Sequence, residues 1–199
     1  GSRRVTSSAW RPSARASHGP RLCYVGDVAL DDSPWRYAPM GSEDVEAVME
    51  VERRCFDSPW TPGQFRHELR VPFSRTLVAW DERSTPRRLA GYVCRWVVGD
   101  EFSILNLAVD PVYQRRGLGR ALVDLVLAEA EEQQAAQITL EVREKNDAAR
   151  SLYSLLGFVQ TGLRRDYYSK SEHAIIMTKT MVRSASPEEP LCRNSDRGV

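Results

Sequence analysis

Residues Leu105 to Arg120 read Leu-Asn-Leu-Ala-Val-Asp-Pro-Val-Tyr-Gln-Arg-Arg-Gly-Leu-Gly-Arg, and no other stretch restricts the fold as much. An apolar strand runs into Asp110-Pro111, which stops it. A basic, glycine-bearing turn follows, and an amphipathic helix opens at Gly117. The first N–H groups of a helix have no intrahelical partner and sit at the positive end of its dipole. Glycine lets that backbone approach a ligand closely, so the turn suits a pyrophosphate. An ordinary strand-turn-helix needs no more than the same pattern.

Two phosphate-binding patterns do not fit this stretch. A P-loop needs Gly-Lys-Ser/Thr after the glycines, where this chain has Gly119-Arg120-Ala121. A dinucleotide fingerprint needs a third glycine where Leu122 stands, inside a parallel βαβ unit. What fits is Gln114-x-x-Gly117-x-Gly119 after a strand ending Val109-Asp110-Pro111. This resembles the acetyl-CoA pyrophosphate loop of the GNAT N-acetyltransferase superfamily. Further on come Leu140-Glu141-Val142-Arg143, Asn146, Ala148-Ala149, Leu152-Tyr153 and Leu156-Gly157-Phe158. Arg164-Arg165-Asp166-Tyr167-Tyr168 and Ala174-Ile175-Ile176-Met177 follow. With the loop, this set resembles the RimI branch, the ribosomal-protein N-terminal alanine acetyltransferases. The resemblance spans about Trp35 to Val182.

The rest of the chain is compatible with one domain. At 199 residues with 42% hydrophobic content it can bury a normal core. A net charge of +1 gives no global pull toward nucleic acid or membrane, and neither is expected as a direct partner. Cys23, Cys55, Cys94 and Cys192 are far apart, and the three histidines form no cluster with them. We expect no metal site, and scattered cysteines suit a reducing cytoplasm. Residues 1–33 hold five arginines and almost no acids before Asp27. They read as a flexible extension, although the composition also suits an organellar transit peptide. Residues 34–182 form the expected domain, and the polar residues 183–199 a tail.

The coarse pattern predicts a strand at Trp35–Pro39, then a helix capped by Ser42 with Val45, Val48, Met49 and Cys55 on one face. Thr61-Pro62-Gly63-Gln64 is a capping box that opens a second helix. Strands are expected at Leu77–Trp80, Leu89–Val98 and Glu101–Val109, with Gly99-Asp100 as a hairpin turn. The helix from Gly117 precedes a strand at Ile138–Val142. Asn146 caps a fourth helix that stops at Gly157. Strands at Phe158–Leu163 and Ala174–Met181 close the sheet. This order agrees with the GNAT fold: a mixed α/β sheet of about seven strands, splayed at its centre and flanked by four helices.

Glu141 lies between Leu140 and Val142, so it points to the opposite face of its strand. A carboxylate at a sheet centre must be paired or functional. Arg143 and Arg164 are candidate partners for a structural ion pair. Tyr153 on the fourth helix reads on its own as amphipathic core. The resemblance implies more. It makes Glu141 the general base for the acceptor amine and Tyr153 the proton donor to the departing CoA thiolate. An ordinary carboxyl facing an α-ammonium leaves proton removal uphill by about 5 kcal/mol. Glu141 therefore needs a raised pKa, or acts through water on an amine already partly neutral. Full transfer from Tyr153 is uphill by about 2 kcal/mol, so a hydrogen bond to the thiolate would serve.

The resemblance also assigns Leu107, Ala108 and Val109 to the pantetheine-facing strand edge, exposed there by a bulge. Arg115, Arg116, Gly117, Leu118, Gly119 and Arg120 form the implied phosphate cradle, with Asn146 a further CoA contact. Trp60 in Ser58-Pro59-Trp60 and Tyr167-Tyr168 after the sixth strand match the acceptor-binding parts, although each also reads as packing. No Cys stands at a motif position, so direct attack within a ternary complex is expected rather than an acyl-enzyme. The implied co-substrate is acetyl-CoA, and the implied acceptor a protein N-terminus, a small-subunit ribosomal protein with N-terminal alanine. The rival readings are a GNAT enzyme acting on lysine or a small amine, and a non-catalytic acyl-CoA-binding module.

Overall fold

The structure, a computed structural model, describes residues 34–169 and 172–182, and side chains in that range apart from those of residues 168 and 169. The expectations for residues 1–33 and 183–199 lie outside the described residues. The chain runs β1 (Trp35–Pro39), α1 (Val45–Cys55), α2 (Pro62–Glu68), β2 (Ser74–Asp81), β3 (Arg88–Val98) and β4 (Glu101–Val109). It continues as α3 (Leu118–Glu132), β5 (Gln137–Arg143), α4 (Asp147–Leu155), β6 (Val159–Ser169) and β7 (Glu172–Thr180). One seven-stranded sheet has the order β1-β2-β3-β4-β5-β7-β6. All its pairs are antiparallel except β4–β5.

Local chemistry accounts for most of the boundaries. The Thr61 hydroxyl accepts from the Gln64 N–H at 3.2 Å, and the Gln64 side chain accepts from the Thr61 N–H at 2.8 Å, so the capping box opens α2 as expected. Gly99 supplies a φ of 60° in the β3–β4 turn. One expectation fails. Ser42 does not cap α1, because residues 42–44 form a 3-10 turn, and the Asp44 carboxylate accepts from the Gly41 N–H at 2.8 Å. Asp44, not Ser42, is therefore the residue at which α1 begins, and its side chain reaches back across the tighter turn rather than forward into α1.

Two cores sit on opposite faces of the sheet. Val93, Ile138, Leu140 and Val142 pack with Leu118, Leu122 and Val126 of α3 and with Tyr153 of α4. On the other face, Val78, Tyr92 and Ala108 pack with Val45, Val48 and Met49 of α1 and Phe65 of α2. The period-2 alternation thus assigns each strand side chain to one pair of helices.

The parallel pair β4–β5 then forks. Its register runs only from Glu101↔Gln137 to Ile104↔Leu140. Beyond Leu140, β5 pairs with β7 alone through Glu141, Val142 and Arg143. Opposite the fork, the β3–β4 register skips Leu105, since Cys94 pairs with Asn106 and Arg95 with Ile104. The bulge therefore lies at Leu105, not within Leu107–Val109 as expected. An extra residue bends its strand and sharpens the twist, so a bulge just ahead of the divergence is where it can turn β4 away from β5.

Past the bulge, β4 lies close against β3. A Cβ on Gly91 would sit 2.7 Å from the Ala108 carbonyl oxygen and 3.3 Å from the Val109 Cα. A glycine inside a strand marks such an approach. Gly91→Ala should destabilise the fold by about 1–3 kcal/mol through overpacking against backbone. That corresponds to a Tm lower by about 2–10 °C in a thermal melt. An unchanged Tm would mean that the two strands separate freely here.

Candidate active site

Strand β4 ends at Val109, and Asp110 organises the descent from it. Its carboxylate accepts from the Val112 N–H at 3.0 Å, capping a 3-10 turn at Pro111–Tyr113. The other oxygen takes Arg54 Nη1 at 2.6 Å, tying the turn to α1. Asp110 is buried, so the pair fixes where the following turn begins. Arg115 has a φ of 62° and Gly117 a φ of 82°, so the chain reverses sharply before α3. A non-glycine residue in this region is strained, and strain of that kind gathers at ligand clamps.

The first backbone bond of α3 runs from the Ala121 N–H to the Gly117 carbonyl at 3.0 Å. The N–H groups of Leu118, Gly119 and Arg120 therefore precede the helical ladder, and no side chain caps Gly117. Among the described residues, nothing beyond its chain neighbours lies within 4 Å of a Cβ built on Gly117. The geometry is that of an anion cradle made of backbone. Leu118 itself is buried in the core, so only its N–H is available. Arg115 and Arg116 are exposed, with the Arg116 guanidinium 5.6 Å from the centre of the Tyr113 ring. Arg120 pairs with Asp124 at 3.4 Å.

The Asp110 N–H donates to the Ala90 carbonyl, so alternation turns the backbone of Asn106 and Ala108 toward β3 and that of Leu107 and Val109 toward the fork. The Val109 carbonyl is already engaged there, accepting from Gln114 Nε2 at 3.0 Å and lying 3.3 Å from Cys55 Sγ. What β4 offers a ligand in the fork is thus narrower than the sequence expectation: the Leu107 amide and carbonyl and the Val109 N–H. Burial, then the nearby Asp110 and Glu52 carboxylates, push the Cys55 thiol up to about 11. It is therefore a neutral thiol at physiological pH, not a nucleophile.

Glu141 is the first β5 residue past the fork. Leu140 and Val142 are buried toward α3 and α4, and Glu141 projects to the face of α1 and α2. Its Oε1 is 3.1 Å from Arg164 Nε, while Arg143 pairs with Glu172 instead at 2.8 Å. Tyr167 bonds to the same carboxylate, which, ahead of burial, pushes the Tyr167 hydroxyl above its usual range. The hydroxyl is therefore a donor to Glu141 at neutral pH. The Arg164 guanidinium also lies 5.5 Å from the Tyr167 ring centre.

Tyr167 does not follow the sixth strand, as expected, but lies within it, because β6 runs on to Ser169. Its ladder jumps from Arg164↔Ala174 to Ser169↔Glu172. The residues between bulge out, with Asp166 at a φ of 51° and its N–H on His173 Nδ1 at 3.0 Å. The bulge re-aims Tyr167 at Glu141, which pattern alone could not reveal. The Tyr168 side chain lies outside the described residues.

Tyr153 is on the other side of the sheet, buried in the α3–α4 core and edge-on to Phe158 at 5.8 Å. Asn146 caps α4, accepting from the Ala149 N–H at 3.1 Å. Trp60 is half-buried, with its ring 5.2 Å from Phe65 and its backbone N–H on Glu52 Oε1 at 2.8 Å. Sequence reasoning missed Glu52 and Gly91. Glu52 falls seven residues after Val45, on the apolar stripe of α1, and a carboxylate at such a position is a readable signal. Among the described residues, no group of three or more His, Cys, Asp and Glu could hold a metal ion.

A fork in a parallel pair, with an open helix N-terminus at its base, is the geometry of one superfamily, and the chain's relatives agree. Residues 45–158 match the Acetyltransferase (GNAT) family. The chain belongs to that family. The [ribosomal protein bS18]-alanine N-acetyltransferase of Escherichia coli K12 is 38% identical over 140 residues, 67% of this chain and 89% of the relative. The N-alpha-acetyltransferase RimI of Mycobacterium tuberculosis is 35% identical over 150 residues, 72% of this chain and 90% of the relative. The crystal structure of the Escherichia coli ribosomal-protein-S18-alanine N-acetyltransferase aligns with a TM-score of 0.70 at 32% identity. That alignment covers 78% of this chain and 98% of that one.

As a GNAT member, the protein is an acetyl-CoA-dependent N-acetyltransferase. Acetyl-CoA at about 100 times its dissociation constant should stabilise it by roughly 2.7 kcal/mol. A thermal melt with and without the ligand should show a Tm rise of about 5–10 °C. No shift, with no heat in calorimetry, would remove the co-substrate from the picture.

Proposed function

We propose that this enzyme acetylates the N-terminal α-amine of a protein, and that its acceptor is ribosomal protein bS18 with an N-terminal alanine. The observation that carries this reading is the placement of Glu141 at the crotch of the fork, held by Arg164 and Tyr167 on the face of the acceptor-side helices. The names of the relatives that match over most of their length supply the acceptor. The catalytic unit is residues 34–182, acting in the cytoplasm where ribosomal proteins are made, without membrane or nucleic-acid contact. No described helix is long and apolar enough to cross a membrane.

Bound acetyl-CoA would supply an activated acetyl carbon. The N–H groups of Leu118, Gly119 and Arg120 hold its pyrophosphate, with Arg115, Arg116 and Asn146 beside them. The Leu107 amide and carbonyl and the Val109 N–H line its arm along β4. Glu141 accepts the proton of the acceptor amine, and Arg164 and Tyr167 keep its carboxylate in register for that task. From the opposite face, Tyr153 donates a hydrogen bond to the leaving sulfur. Trp60 and Tyr167 flank the acceptor chain end.

The test is direct. The protein is incubated with acetyl-CoA and a peptide carrying the N-terminal sequence of bS18, and fragment mass spectrometry locates the acetyl group. Acetyl on the α-nitrogen is the expected result. Acetyl on a lysine side chain, or none, overturns the assignment.

A further inference from the structure

Glu52 is 1% exposed, in the middle of α1, and plays no part in the chemistry described above. A buried carboxylate persists only where donors replace its lost hydration. Among the described residues it has three, and each comes from a different part of the chain. The Trp60 backbone N–H donates at 2.8 Å from the segment between α1 and α2. The Tyr92 hydroxyl donates from β3. The Asn106 amide donates from β4, at 3.2 and 3.4 Å to the two oxygens. Burial first, and then the Glu52 charge, push the Tyr92 hydroxyl far above its usual range, so it remains a donor.

The positions of these donors matter more than their number. Asn106 is the first β4 residue beyond the Leu105 bulge, and its side chain lies on the face toward which Glu141 projects across the fork. The Trp60 ring leans on Phe65, and Phe65 meets Tyr92 edge-on at 5.5 Å. One carboxylate thus ties the acceptor-side segment to the diverging half of β4, and an aromatic stack braces the same segment from beside it. An apolar residue on the α1 stripe would fill this volume but could not join three elements through hydrogen bonds.

We propose that Glu52 is a positioning residue for the acceptor: it holds the Trp60 segment against the open side of the fork and so sets the width of the slot that receives the protein N-terminus. This rests on the reading of Trp60 as part of the acceptor site. The charge matters because only a carboxylate accepts from all three donors. In Glu52→Gln the amide nitrogen keeps the shape but presents hydrogens to donors. Losing hydrogen bonds to a charged acceptor should raise the KM for peptide by about tenfold or more. The KM for acetyl-CoA, bound on β4 and α3, should stay within about twofold of wild type.

The experiment measures kcat and both KM values for wild type, Glu52→Gln and Asn106→Ala, together with NMR-detected hydrogen exchange of the Trp60 amide. Asn106→Ala cuts one limb while keeping the carboxylate, and should move the peptide KM in the same direction by a smaller factor. Faster exchange at Trp60 in Glu52→Gln, with core amides such as Val93 still protected, is the expected companion result. A purely structural role would lower kcat through loss of folded protein and leave both KM values unchanged. That outcome, or Trp60 exchange equal to wild type, overturns the proposal. A wild-type protein that transfers nothing to any N-terminal peptide overturns the functional reading instead, and the exchange result still decides whether Glu52 holds the segment.

Discussion

Glu141→Gln should lower turnover by about 100- to 10,000-fold, the usual cost of removing a general base. Acetyl-CoA affinity should stay near wild type. Glutamine keeps the shape of the side chain, and its carbonyl oxygen can still accept from Arg164 Nε and the Tyr167 hydroxyl, which hold Glu141 now. What it loses is the capacity to take a proton. On the proposed reading α3 holds the nucleotide and β4 its arm, so neither depends on the β5 carboxylate. Steady-state kinetics and calorimetry on the same preparation separate the two effects. Near-full activity at neutral pH would reduce Glu141 to the ion pair with Arg164 and leave water or buffer as the base.

A peptide with a free N-terminal alanine should be acetylated at least about 250 times faster than the same peptide with a blocked terminus and an internal lysine. At neutral pH, an α-amine near 8 has roughly that excess of neutral, nucleophilic form over a lysine near 10.4. The preference comes from the acceptor's own chemistry, before any contact with the enzyme. On the proposed reading the slot would add to it: Trp60, held by Phe65 and Glu52, and Tyr167, held at Glu141, would admit a chain end more readily than a side chain rising from a continuous backbone. Trp60→Ala should accordingly raise the KM for peptide far more than that for acetyl-CoA. Competition between the two peptides, read by mass spectrometry, measures the ratio. A blocked lysine peptide that proves the better substrate would replace the α-amine reading with the lysine one.

Much of the architecture is local chemistry and could be read residue by residue. Thr61 and Gln64 form the capping box that their spacing implies, and Asn146 caps α4. Gly157 takes the positive φ that a helix C-terminal stop favours. Ser42 misled because it is wound into a 3-10 turn closed by Asp44 on the Gly41 N–H, and α1 begins only beyond it. Tyr167 misled because β6 continues through its own distortion, and a bulge leaves no period to detect.

The sequence by itself determined the element order, the strand-turn-helix that leads from Val109 into α3, and the side of the sheet that Glu141 faces. Those depend on hydrophobic period, capping and backbone φ, which act over a few residues. Tertiary structure alone decided where β4 bulges, at Leu105 rather than within Leu107–Val109, and that β3 must carry Gly91 to meet β4. It also chose Arg164 over Arg143 as the partner of Glu141, and gathered Trp60, Tyr92 and Asn106 around the buried Glu52. Strand register, close backbone approach and the satisfaction of a buried charge join residues tens of positions apart. Such partners are selected by packing in space, and no periodicity along the chain records them.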